Sequence, residues 1–164
     1  MSVKIKNRHS LKKKDIREIQ DQLEKEFDEK FIDHRSKVEI GFLDDIKIIF
    51  IDETPCFIYH NSKIIFTVLG INKFALKKKY VVVDMGAVKF VTNGADIMAP
   101  GVVDADKNIQ EKDQVWICDE THHKPLAVGI ALMSGDEMVQ GQKGKAIKTI
   151  HFIGDTIWNH TSSQ

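Results

Sequence analysis

Val81-Val82-Val83-Asp84-Met85-Gly86-Ala87-Val88-Lys89-Phe90-Val91-Thr92-Asn93-Gly94-Ala95-Asp96-Ile97-Met98-Ala99-Pro100-Gly101-Val102 says more about this chain than any other stretch. The three valines read as a buried strand. Asp84 stands where a helix N-cap belongs, because a short carboxylate accepts the first free amides. The spacing then predicts a short helix over 86–93, with Ala87, Phe90 and Val91 inward and Lys89 outward. Asn93-Gly94 reads as a left-handed helix exit. A second strand and a Pro-Gly turn follow. Small side chains at the exit predict open main-chain amides beside one lysine, a surface that suits phosphates and stacked bases. A glycine that merely stops a helix explains the same residues without any ligand.

Downstream, 114–118 and 125–132 read as hairpin partners across a turn at 120–124. Pro125 opens its strand, where a missing donor does least harm. Residues 134–139 predict a helical turn and Gly141-Gln142-Lys143-Gly144 a loop. Residues 145–152 and 156–159 predict a last hairpin around Gly154-Asp155. Short strands with regular turns point to a small closed or nearly closed barrel. Upstream, a polar opening ends at Ser10, placed to cap a helix over 12–27 whose Ile16, Ile19, Leu23 and Phe27 share one face. Strands follow at 37–40, 46–51, 56–59 and 63–68, with 46–51 apolar enough to be central. His60-Asn61-Ser62 reads as a tight hairpin turn, and 70–76 as a short helix. Lys77-Lys78-Lys79 is a basic joint, and the domain boundary is placed there: 1–79 and 80–164.

Composition narrows the classes. With 164 residues, 42% hydrophobic and 29% charged, the chain is an ordinary globular one. No apolar run suffices for a membrane span, and Met1-Ser2-Val3-Lys4-Ile5-Lys6 lacks a signal-peptide core, so a cytoplasmic protein is expected. Cys56 and Cys118 read as two buried reduced thiols. Formal net charge is zero. Residues 1–79 hold 17 Lys and Arg against 13 Asp and Glu, whereas 80–164 hold 7 against 11. RNA binding would therefore rest on a local patch rather than a global field.

The central stretch resembles the PUA domain, a pseudo-barrel of RNA-modifying enzymes and translation factors. The likeness is carried by residues 86–90, 94–98, 100–101, 125–131, 144–147, His151, Gly154-Asp155 and Trp158. One departure stands out: the Gly-Asp usual before the third strand is Lys112-Asp113 here. The first half, with its Lys-rich helix, strands, Phe66-Thr67-Val68-Leu69 and basic joint, looks like a pre-PUA domain. The pairing resembles the malignant-T-cell-amplified translation factor family and its archaeal relatives. That resemblance implies an α+β chain, a pre-PUA domain followed by a PUA pseudo-β-barrel. It also implies a non-enzymatic cytoplasmic protein binding tRNA or small-subunit ribosomal RNA, with a translation-factor partner and no cofactor. The family surface maps onto Lys89, Thr92, Asn93, Gly94, Ala95, Met98, Pro100 and Gly101, with Lys143, Gly144, Lys145 and Ala146 opposite. The lysines would meet phosphates, Gly94, Ala95 and Gly144 would allow close approach, and Met98 would pack on a base or ribose. An RNA-targeting accessory subunit of a modifying enzyme is the alternative, and a protein-interaction module the third.

Catalytic and metal chemistry lack a pattern. Cys118, His122 and His123 are too few and wrongly spaced for zinc. No nucleophile elbow, phosphate loop or His-Glu-x-x-His is found. Lys12-Lys13-Lys14 and Lys77-Lys78-Lys79 are solvated charge runs or an extension of the RNA track.

Overall fold

Isoleucine- and phenylalanine-rich runs separated by tight turns organise the first half. In the computed structural model, which describes residues 4–162, they become β1 (Lys6–Ser10), β2 (Val38–Leu43), β3 (Ile46–Ile51), β4 (Thr54–His60) and β5 (Lys63–Phe66). These pair antiparallel in the order β1-β2-β3-β4-β5, with β3 central as its apolar run predicts. Asn61 and Ser62 sit at φ 49° and 65°, the left-handed pair that suits a two-residue hairpin between right-twisted strands. Helix α1 (Lys13–Phe27) buries Ile19, Leu23 and Phe27. Helix α2 (Val68–Phe74) is capped by Thr67, whose hydroxyl accepts from the Gly70 amide at 2.9 Å. A side chain at Gly70 would run into the Cys56 carbonyl, so only glycine lets α2 lie on β4. Phe27, Phe31, Phe57, Phe66 and Phe74 fill the core as a ring cluster, mostly edge to face.

The polar opening corrects two expectations. Residues 6–10 are a strand, because an edge strand is held by main-chain bonds and needs no apolar alternation. Ser10 therefore pairs opposite Glu39, and Lys12 stands at the N-cap of α1 with no side-chain bond.

The second half comprises β6 (Tyr80–Val83), α3 (Met85–Val91), β7 (Ile97–Met98), β8 (Val102–Ala105), β9 (Gln114–Asp119), β10 (Pro125–Ala131), α4 (Gly135–Gln140), β11 (Lys145–Phe152) and α5 (Thr156–Thr161). Its sheet runs β7-β11-β10-β9-β6-β8, with β6 and β9 parallel and the other neighbours antiparallel. β7 and β8 lie at opposite edges, yet only the 3₁₀ turn Ala99–Gly101 separates them in the chain. The sheet must curl until its edges nearly meet, and the result is a pseudo-barrel. Val81, Val83, Ile97, Val115, Ile117, Ala127 and Ile147 fill its interior. Ser134 starts α4 with a full capping box to Glu137.

Residues 156–159 are not a strand. Asp155 accepts from the Trp158 amide at 2.8 Å and starts α5 instead of closing a hairpin. The same carboxylate meets His151 Nδ1 at 2.8 Å and the Phe152 amide at 3.1 Å. Thus His151, Asp155 and Trp158, noted as separate motif residues, form one knot at the end of β11. The described residues form two compact units, 4–75 with 160–162, and Leu76–Asn159. Among the described residues no helix is long and apolar enough to cross a membrane. Cys56 and Cys118 are free and buried, and burial pushes both thiols up to about 12.

Candidate nucleic-acid interface

The candidate surface starts at Asp84. Its carboxylate accepts from the Ala87 amide at 2.8 Å and starts α3, while its own amide donates to the Gly101 carbonyl at 3.0 Å. Helix start and Pro-Gly turn are thereby fixed side by side. Between them and β7 lies an open cleft of about 490 Å³, lined largely by apolar groups. Phe90, Met98, Ala87, Ala95, Pro100 and Gly101 form its walls. Phe90 is 56% exposed and Met98 47%. Phe90 was expected to face inward, but α3 turns Val91 into the core with Ala87 and Val88 partly buried beside it, and Phe90 is left outside. The exposure of an aromatic ring in a helix that otherwise looks amphipathic is the signal that periodicity could not supply.

At the helix exit the expectation of open amides fails. Those of Thr92, Asn93, Gly94 and Ala95 donate to the carbonyls of Val88, Phe90, Val91 and Phe90, all between 3.0 and 3.1 Å. Gly94 takes φ +83°, as the exit predicts, but the space above its α-carbon belongs to the Phe152 ring, which a Cβ would meet at 2.7 Å. Glycine here admits a ring of the protein's own core. Thr92 turns its hydroxyl back to the Val88 carbonyl at 3.2 Å, whereas Asn93 stays exposed.

The opposite rim is set by strand register. Lys145 pairs with Met98 and Ile147 with Ile97. Neighbours across an antiparallel pair share a face, so Lys145 and Met98 are outward and the two isoleucines inward. A register shift between Lys145 and Ile147 breaks the strand's alternation, so Ala146 and Ile147 are both buried and Ala146 has no side-chain surface for a ligand. Gly144 takes φ +96°, and its carbonyl accepts from the Ala99 amide at 2.9 Å. Lys143 is exposed in the loop before it. Lys145 reaches Asp96 at 3.3 Å. Burial would raise the Asp96 carboxyl, but the Thr149 amide at 3.0 Å and the nearby lysines hold it below its ordinary value. Lys89 lies 5.2 Å from the centre of the Phe90 ring, a cation–π contact.

The structure therefore brings Ala95, Met98, Pro100 and Gly101 to the cleft, with Lys89 and Lys145 at its edges. Sequence reasoning missed Phe90, Ala87 and Asp96. Chemically, a flat apolar floor with cationic rims receives a planar ring or a sugar face whose negative charges point outward. The His151–Asp155 pair looks superficially catalytic, yet His151 is 1% exposed and its Nε2 is buried without a partner. Asp119 accepts from the amides of Thr121, His122 and Lys124, so the two histidines belong to a carboxylate-organised turn. Among the described residues no three metal-binding side chains are grouped.

Comparison with known proteins agrees with this architecture. The PUA domain model matches residues 79–153, and a domain of unknown function, DUF1947, matches residues 7–74. An uncharacterized protein of Methanocaldococcus jannaschii is 48% identical, the match covering 96% of this chain and 98% of that one. Translation machinery-associated protein 20 of Saccharomyces cerevisiae is 30% identical over 80% of this chain and 76% of its own. A crystal structure of a hypothetical protein from Pyrococcus horikoshii superposes with a TM-score of 0.86 at 41% identity, covering 94% of this chain and 99% of the other. With a pre-PUA half, a PUA half and relatives that match along nearly the whole length, the chain belongs to the PUA-domain family that includes translation machinery-associated protein 20 and the malignant T-cell-amplified proteins.

Proposed function

We propose that this chain is a non-enzymatic, cytoplasmic RNA-binding protein of translation, which takes tRNA or small-subunit ribosomal RNA at the α3 cleft. The carrying observation is the joint exposure of Phe90 and Met98 on one apolar cleft whose rims bear Lys89 and Lys145. Exposed large apolar side chains cost solubility unless a partner covers them, and bases supply the matching flat surface. The named relatives add the translational setting, and a translation factor bound alongside is the expected protein partner. Lys89, Thr92, Asn93, Ala95, Met98, Pro100, Gly101, Lys143 and Lys145 remain assigned to this surface. Gly94 and Ala146 shape it from beneath, and Gly144 is exposed at its rim.

The test separates stacking from charge. Phe90→Ala is expected to weaken binding to tRNA or ribosomal RNA fragments by about 1–3 kcal/mol, the usual worth of a base–aromatic contact, without changing the salt dependence. Replacing Lys89, Lys143 and Lys145 together by alanine is expected to flatten the plot of log affinity against log salt by about 2. Unaltered affinity in both folded variants refutes the surface. Purification with a catalytic partner instead of small ribosomal subunits would favour the accessory-subunit reading.

A further inference from the structure

We propose that the cationic segment Lys4–Arg17 is a second RNA-contact surface, one that holds phosphates and reads no bases. The inference rests on the reading that the chain binds RNA. Between Lys4 and Arg17 stand seven Lys and Arg and one acid, Asp15. Arg8 is committed within the fold: its guanidinium meets Glu39 at 2.9 Å and Glu53 at 2.5 Å, and Lys37 joins the same pair of carboxylates. The other six, Lys4, Lys6, Lys12, Lys13, Lys14 and Arg17, are exposed. Among the described residues none of the six has a carboxylate within 4.0 Å. This unit pairs the charges that hold it together and leaves these six unpaired.

Their placement also works against the free fold. Lys12 is the N-cap of α1 without a side-chain bond, and Lys13 and Lys14 follow in its first turn with Asp15 as the one acid there; Arg17 stands in the next turn beside Glu18. Cations at the positive end of a helix are unfavourable, and a polyanion relieves them. Residues 80–164, which contain the cleft, hold 7 Lys and Arg against 11 Asp and Glu. Long-range attraction for phosphate therefore has to come from the first half, and this segment is its densest cationic stretch.

The occupant follows from what the segment lacks. Among the described residues the exposed large apolar side chains are Met85, Phe90, Met98, Val103, Leu132 and Val139, all far along the chain from it. With His9 as its one aromatic ring, tied to the Asn7 carbonyl, and no Phe, Tyr or Trp, it offers no extended platform for stacked bases, and without an apolar wedge it has no anchor in a bilayer. Ammonium groups on flexible stems act as point charges. A string of them along a strand and the following helix start fits a phosphate backbone in any sequence.

The experiment uses the full chain and one structured RNA, with affinities measured from low to high salt. Replacing Lys12, Lys13, Lys14 and Arg17 by glutamine is expected to reduce the salt slope by about 3 and to weaken binding about tenfold or more at low salt. The melting temperature is expected to hold or rise, because the helix loses unfavourable cations. In the same series Phe90→Ala lowers affinity at an unchanged slope. If the native chain binds RNA and the glutamine variant keeps the native slope, the second surface is overturned and the cleft stands. If the native chain binds no RNA at any salt, both fall. Polyglutamate of matched charge serves as the competing probe: binding as tight as RNA, lost in the same variant, would assign the segment to an acidic polypeptide and overturn the proposal.

Discussion

Gly94 is the residue at which two constraints meet. Its φ of +83° lies in the left-handed region, where a Cβ crowds the following carbonyl, and the Phe152 ring occupies the space a Cβ would need. Gly94→Ala is therefore expected to cost about 1–3 kcal/mol of unfolding free energy, read by denaturant titration. The sequence announced the first constraint through Asn93-Gly94. The second was invisible, since Phe152 lies 58 positions further along the chain. Lys112 gives the converse lesson. It holds φ 79° where the family resemblance expects glycine, and its amide still donates to the Ala131 carbonyl at 2.8 Å. A lysine thus holds the left-handed backbone that a glycine would adopt without a Cβ penalty.

Elements ended where side chains could satisfy free amides, and most of those ends were readable. Asp84 caps α3 as its position predicts, and Ser134 caps α4 where only a helical turn was expected. The last element was misread because Asp155 serves a cap and a histidine together, which no local pattern shows. Its carboxyl is partly buried, and burial alone would raise it. The hydrogen bond from His151, with the Trp158 and Phe152 amides, outweighs that and holds it below the ordinary aspartate value. A depressed carboxyl stabilises the fold fully above the unfolded value and loses that contribution as pH falls through the folded one. Asp155→Asn keeps the shape and removes the charge. The stability gap between native and variant protein is thus expected at neutral pH and should close as pH drops through the acid range, measured by unfolding at a series of pH values. A gap independent of pH would assign the role of Asp155 to hydrogen bonding alone. Strand β1 was missed for a different reason: an edge strand of polar residues carries no hydrophobic signal.

Over the whole molecule, 24 basic and 24 acidic side chains cancel at pH 7. Proteins near zero net charge repel one another least, so solubility of the isolated chain is expected to pass through a minimum near neutral pH at low salt and to recover on either side, as precipitation by polyethylene glycol would show. RNA affinity, if the two proposed surfaces hold, depends on where charge sits rather than on its sum. By itself the sequence determined the two-part organisation, the central place of β3, the cap of α3, and the strand–helix–strand–turn order that marks the PUA half. Those features rest on periodicity, short polar caps and glycine, which act between residues near in sequence. Tertiary structure alone decided that the exit amides are spent internally, that Phe90 faces out, that Ala146 faces in and that Lys145 stands beside Met98. Each of these depends on the register of β7 against β11 and on a sheet whose edges are joined by three residues. Such long-range closure sets which face every side chain takes, and a one-residue shift would exchange core for surface.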